Sequence, residues 1–198
     1  MYTAAIMAGG QARRFGGRDK AKLTVGDNRI IDRQITVLDK VADQIVIVAP
    51  NARPYRSLGL PVFEDLIPGT GALGGIYTAI TVSRNPQTLV VACDMPFLNA
   101  PFLYYLTNFG HEADVVIPRT TDGYQPLCAS YSRSCAAPIR QRLDAGLLKV
   151  LELLSDVKVR ELDPDDIAPY NPHGVLFFNV NTPDDYARSL TLTKCHDL

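Results

Sequence analysis

Thr3-Ala4-Ala5-Ile6-Met7-Ala8-Gly9-Gly10-Gln11-Ala12-Arg13-Arg14-Phe15-Gly16-Gly17-Arg18-Asp19-Lys20 is the stretch that decides the fold. Residues 3–8 form a short apolar run of the kind that makes a buried strand. The chain then turns polar, glycine-rich and basic. Glycines let a backbone turn sharply and bring its N–H groups close to an anion. Arg13, Arg14, Arg18 and Lys20 add four cations within eight residues. Together they could hold a triphosphate and spread the charge that builds up in phosphoryl transfer. One such arginine alone is as readily a solvated surface group; the concentration of glycines and cations after a strand carries the argument. This loop is neither GxxxxGK[ST] nor GxGxxG, which disfavours a Walker A loop and a dinucleotide dehydrogenase.

Outward from this stretch, short apolar runs alternate with helix-period segments. Ile31, Ile35, Leu38 and Val41 mark one helix face, and Leu73, Ile76, Tyr77 and Ile80 another. Further helices are expected over 101–108, 134–145 and 148–154. Strands are expected over 44–49, 61–63, 88–93, 114–118, 126–131, 157–162 and 176–180. Thr182 caps a last helix, with Pro183 in its first turn. The alternation implies a three-layer α/β/α, Rossmann-like fold with a mostly parallel central sheet. Ligands of such sheets bind outside the carboxyl ends of the strands, which selects the loops after Ala8, Phe63 and Cys93.

The 198 residues suit one domain, residues 1–198, with about the last eight as a loose tail. Twenty basic and 21 acidic residues leave a net charge of −1. That balance argues against a nucleic-acid or membrane surface, both of which use basic faces. Cys93, Cys128, Cys135 and Cys195 show no CxxC spacing, so they read as small apolar thiols in a reducing compartment. The N-terminus lacks a basic leader, and no run approaches the roughly 18 apolar residues of a membrane span. A cytoplasmic protein is expected. His111, His173 and His196 share no ligand spacing, and no nucleophile elbow suggests a hydrolase.

Asp94 follows an apolar strand in Val90-Val91-Ala92-Cys93-Asp94-Met95-Pro96. A carboxylate there, beside a phosphate loop, is a natural Mg²⁺ ligand. Taken alone, it would read as the cap of a turn before Pro96. Asp65 precedes the glycine-rich Gly71-Ala72-Leu73-Gly74-Gly75-Ile76, where bare backbone could admit a base or ribose or simply pack closely. Asn179 and Asn181 alternate along the expected last strand and would share a face. Their amides suit a phosphate, a metal-bound water or a pterin edge.

Residues 7–20, MAGGQARRFGGRDK, resemble the LAGGxxxRMGxxDK pattern of nucleotidyltransferases, and of the molybdenum cofactor guanylyltransferases in particular. Met7 and Phe15 replace the usual Leu and Met, and both keep the apolar character. Gly9-Gly10 matches the guanylyltransferase form, where cytidylyltransferases more typically read AAG. The CDMP segment at Asp94, the ED-to-GALGGI segment after Asp65, GYQPL around Gln125 and FNVNTP around Asn179 and Asn181 are similar to family motifs. Ala72 stands for the family's proline, and Ala49 for an asparagine that Asn51 would replace. Lys149 is the nearest match to a basic residue after Gly146.

The resemblance runs from Met7 to about Ala187. It implies transfer of GMP from GTP to the phosphate of molybdenum-bound molybdopterin, with pyrophosphate released. It assigns catalysis to Arg14, Lys20 and Asp94, with Mg²⁺ on Asp94. Nucleotide contacts fall to Met7, Ala8, Gly9, Gly10, Lys20, Asp65 and Asp94, and acceptor contacts to Gln125, Asn179 and Asn181. It also implies transient contact with other cofactor-biosynthesis proteins or recipient molybdoenzymes, and no nucleic-acid or membrane partner. The alternatives are a nucleotidyltransferase using CTP or another acceptor such as a sugar phosphate, and a non-catalytic GTP-binding regulator.

Overall fold

Strand β1 (Tyr2–Met7) is buried along Thr3–Ile6, as a strand covered on both faces must be. The computed structural model describes residues 1–8 and 20–196. β1 pairs in parallel with β4 (Gln44–Val48) on one side and β6 (Gln87–Ala92) on the other. β4 carries β5 (Val62–Phe63) at its outer edge, also parallel. Beyond β6 lie β9 (Cys128–Ser132), β7 (Val115–Thr120) and β10 (Val159–Leu162). β9 runs against both of its neighbours, while β7 and β10 are parallel to each other. The short β8 (Gly123–Tyr124) folds back on the end of β7.

Side chains alternate faces along each strand, and this splits the core into two layers. Ala4, Ile6, Ile45, Ile47, Leu89 and Val91 pack with Ile31 and Leu38 of α1 (Ile30–Leu38) and Phe102, Leu103 and Leu106 of α3 (Ala100–Thr107). Ala5, Val46, Val48 and Val90 pack oppositely, against Leu73, Ile76 and Ile80 of α2 (Gly71–Val82) and Ile139 and Leu143 of α4 (Ala136–Asp144). The result is the expected helix–sheet–helix sandwich.

Side chains cap the starts of three helices. The Asn99 side chain accepts from Phe102 N at 2.9 Å, ahead of Pro101. The Thr182 hydroxyl accepts from Asp185 N at 3.1 Å, and the Asp185 carboxylate accepts from Thr182 N at 2.8 Å. This reciprocal cap opens α6 (Pro183–His196), which takes in most of the stretch expected as a tail. Asp163 caps the single turn α5 (Pro164–Ile167) in the same way.

Several expectations need correction. Residues 176–180 are not a strand. Leu176 is buried against the α3 layer and Val180 beside Val25, Ile30 and Phe97, without a neighbouring strand to pair with. Residues 150–155 form a 3₁₀ stretch, Val150–Ser155, rather than an α-helix. α1 stops at Leu38, before Val41. A two-residue hairpin, β2 (Thr24–Val25) and β3 (Asn28–Arg29), turns on Gly26 at φ 65° and is too short to leave a periodic signal.

Candidate active site

In chain order β1 is followed by a strand on one side and later by a strand on the other. That reversal opens a crevice at the carboxyl ends of β1 and β6. Antiparallel β9 contributes its amino end to the same place, because Cys128 lies opposite Val91. Ala92 N donates to Leu127 O at 2.7 Å, and this sets Gln125-Pro126-Leu127 beside the end of β6. The crevice is a pocket of about 350 Å³ lined by Met7, Ala8, Lys20, Tyr55, residues 92–95, residues 125–127, Asn179 and Asn181.

Lys20 begins a 3₁₀ turn, Lys20–Lys22, anchored by the fully buried Ala21. Its ammonium lies 3.2 Å from the Asp94 carboxylate and 2.6 Å from the Asn181 amide oxygen. The Lys20 and Asp94 side chains are only 14% and 17% exposed, so water screens the pair poorly. Asp94 stands just past β6, held by its backbone: Val180 N donates to Asp94 O at 2.9 Å, and Cys93 N to Met7 O at 3.2 Å. The first of these bonds also brings the Asn179–Asn181 segment over the pocket. Asn181 N donates to the Asp185 carboxylate at 3.0 Å, so the α6 cap fixes Asn181 as well. Asn179 spends its amide N–H on Phe177 O. Gln125 donates to the Thr120 hydroxyl at 3.2 Å.

Of the residues singled out by sequence, Met7, Ala8, Lys20, Asp94, Gln125, Asn179 and Asn181 therefore line one pocket. Gly9, Gly10 and Arg14 lie outside the described residues, as do Arg13 and Arg18. Asp65 is not in the pocket wall. It lies near Gly75, as Met7 does: a Cβ on Gly75 would overlap the Met7 Cε and sit 3.7 Å from the Asp65 carboxylate. Asp65 has no hydrogen-bond partner among the described residues, and burial pushes its carboxyl above the ordinary 3.8. A half-buried carboxylate without a partner costs stability.

Asn51 does not replace the missing asparagine. It accepts from Arg53 N at 2.9 Å in a local turn, and Ala49 is buried. Lys149 is exposed and pairs with Glu152 at 3.2 Å, away from the pocket lining. Tyr55, which reaches the pocket from the 3₁₀ stretch Arg53–Leu58, carries no motif or spacing that marks it. Cys93 and Met95 were legible only as the neighbours of Asp94.

Asp94 and the Asn181 amide present two hard oxygens bridged by one cation, the Lys20 ammonium. That donor set suits Mg²⁺ or Mn²⁺, which takes one or two protein oxygens and completes its shell with phosphates and water. Among the described residues no group of three or more His, Cys, Asp or Glu could hold a metal by itself. Cys93, Cys128 and Cys135 are buried and unbridged, and burial pushes the Cys128 and Cys135 thiols up to about 12. Among the described residues no helix is long and apolar enough to cross a membrane.

A probable molybdenum cofactor guanylyltransferase of Clostridium perfringens is 36% identical over 186 residues, which are 93% of this chain and 93% of its own. The crystal structure of molybdopterin-guanine dinucleotide biosynthesis protein A from Archaeoglobus fulgidus matches with a TM-score of 0.84 at 26% identity, over 99% of this chain and 100% of that one. The manganese complex of Rv0371c from Mycobacterium tuberculosis shares the fold, with a TM-score of 0.67 at 18% identity over 96% and 98% of the two chains. Residues 4–159 match the MobA-like NTP transferase domain, and the chain belongs to that family of nucleotidyltransferases.

Proposed function

We propose that the protein transfers GMP from GTP to the phosphate of molybdenum-bound molybdopterin and releases pyrophosphate. The observation that carries the chemistry is the Lys20 ammonium held between Asp94 and Asn181, at the carboxyl ends of β1 and β6. The guanylyltransferase relatives carry the choice of substrates.

An acceptor phosphate oxygen attacks the α-phosphorus in line. The new P–O bond forms as the bond to the β-phosphate oxygen breaks, and pyrophosphate takes the electron pair. The nucleophile is already ionised, so no strong general base is required. Catalysis is then positioning and charge neutralisation. Lys20 offers its ammonium to the phosphates, with Arg14 assisting, and Gly9 and Gly10 offer backbone donors. Met7 and Ala8 form the floor under the nucleotide, and Asp65 takes a hydrogen bond from the nucleoside. Gln125, Asn179 and Asn181 face the acceptor.

Asp94 and Asn181 would hold the divalent ion, taken as Mg²⁺. When bound it would neutralise phosphate oxygens and the departing charge. The manganese bound by the more distant Rv0371c supports a divalent ion at this fold. The buried, unbridged cysteines suit the cytoplasm. Recipient molybdoenzymes and other cofactor-biosynthesis proteins are the partners expected in passing.

Calorimetric titration with GTP, CTP and UTP tests the base choice. GTP should bind most tightly, and Asp65→Asn should weaken it about tenfold while raising the melting temperature at neutral pH. Preferential binding of CTP or UTP would overturn the assignment.

A further inference from the structure

Gln34 stands on α1, 1% exposed, with its amide turned toward the end of β6. Its Nε2 donates to Ala92 O at 2.6 Å and to Met95 O at 3.1 Å. These two carbonyls bracket Cys93-Asp94. The neighbouring Arg33 donates from Nε to Pro96 O at 3.2 Å. Adjacent α1 side chains thus grip the turn that carries Asp94 on both sides of the carboxylate.

The Gln34 Oε1 has no hydrogen-bond partner among the described residues, although it is buried. A buried acceptor left unmet is expensive, and methionine or leucine would fill similar space without that cost. The two donated bonds are the compensation, and both go to the Asp94 turn.

We infer that Gln34 is a positioning residue for Asp94: it fixes the turn so that the carboxylate stays against Lys20 and faces the metal–nucleotide complex. The inference rests on the proposed role of Asp94. Groups that orient a metal ligand from behind commonly change metal affinity or activity 10- to 100-fold when lost. Nothing in the sequence pointed to Gln34, because one polar residue on a helix carries no spacing signal.

Gln34→Met keeps the volume and removes the donors. Binding of Mn²⁺–GTP, followed by the paramagnetic signal of Mn²⁺, is compared with calorimetric binding of metal-free GTP. Melting curves, kcat and KM are recorded beside them. Gln34→Met should weaken Mn²⁺–GTP about tenfold and lower kcat at least as much, with metal-free GTP binding within about twofold of the parent. Leu143→Ala, in the opposite core layer, is destabilising but should leave the Mn²⁺–GTP affinity unchanged. Gln34→Asn draws the amide back by one methylene, and it should show the same selective loss if Gln34→Met does not fold.

Unchanged Mn²⁺–GTP binding and kcat in a folded Gln34 variant would overturn the inference. So would an equal loss in Leu143→Ala. Asp94→Asn separates the two levels: if it binds Mn²⁺–GTP like the parent, the metal role of Asp94 fails first and the inference falls with it.

Discussion

Asp94→Asn is expected to slow nucleotidyl transfer roughly a thousandfold while the protein still unfolds cooperatively. The substitution is isosteric; it removes the charge and turns one acceptor oxygen into a donor amide. What holds this residue in place is its backbone: Asp94 O accepts from Val180 N, and Cys93 N donates to Met7 O. Those bonds survive the change. The carboxylate itself meets the Lys20 ammonium, and asparagine can still accept from it. Lost is the one carboxylate of the pocket wall among the described residues, and with it the hard anionic oxygen a divalent ion needs. Pyrophosphate release under saturating GTP and acceptor measures the effect. Near-normal turnover would remove Asp94 from the mechanism.

Lys20→Ala should cost about 10²- to 10³-fold in kcat and raise KM for GTP. The ammonium offsets the repulsion between the Asp94 carboxylate and incoming phosphates. It also ties Asn181 into the pocket at 2.6 Å, so its loss loosens an acceptor-facing group. Because Lys20 and Asp94 act as one unit, Lys20→Ala/Asp94→Asn should be little worse than the poorer single variant. Steady-state kinetics on the four proteins reads the coupling. Strictly multiplicative losses would show two independent groups instead.

The central sheet was legible because its strands are continuous apolar runs, and Ala4, Ala5 and Ile6 show the alternation that divides the two core layers. The Leu73, Ile76 and Ile80 face of α2 was equally plain. Residues 176–180 misled because Leu176 and Val180 carry a strand's hydrophobicity, yet they satisfy it by packing without a ladder. The pocket lining was readable where chemistry follows a strand end, as at Ala8 and Asp94. Gln125 lies just ahead of the reversed β9, and only strand pairing shows why the start of that strand meets the end of β6. Tyr55 and Gln34 reach the site through tertiary packing alone. Gly75 lies between these cases: its place in a helix looks unfavourable until the close approach of the Met7 side chain is seen.

The most direct measurement is incubation of the protein with GTP, Mg²⁺ and molybdenum-bound molybdopterin, with the product identified by mass. The expected product is the pterin cofactor enlarged by GMP, with pyrophosphate released in equal amount. GTP bound without pyrophosphate release, or a pterin that gains CMP when all nucleotides compete, would contradict it.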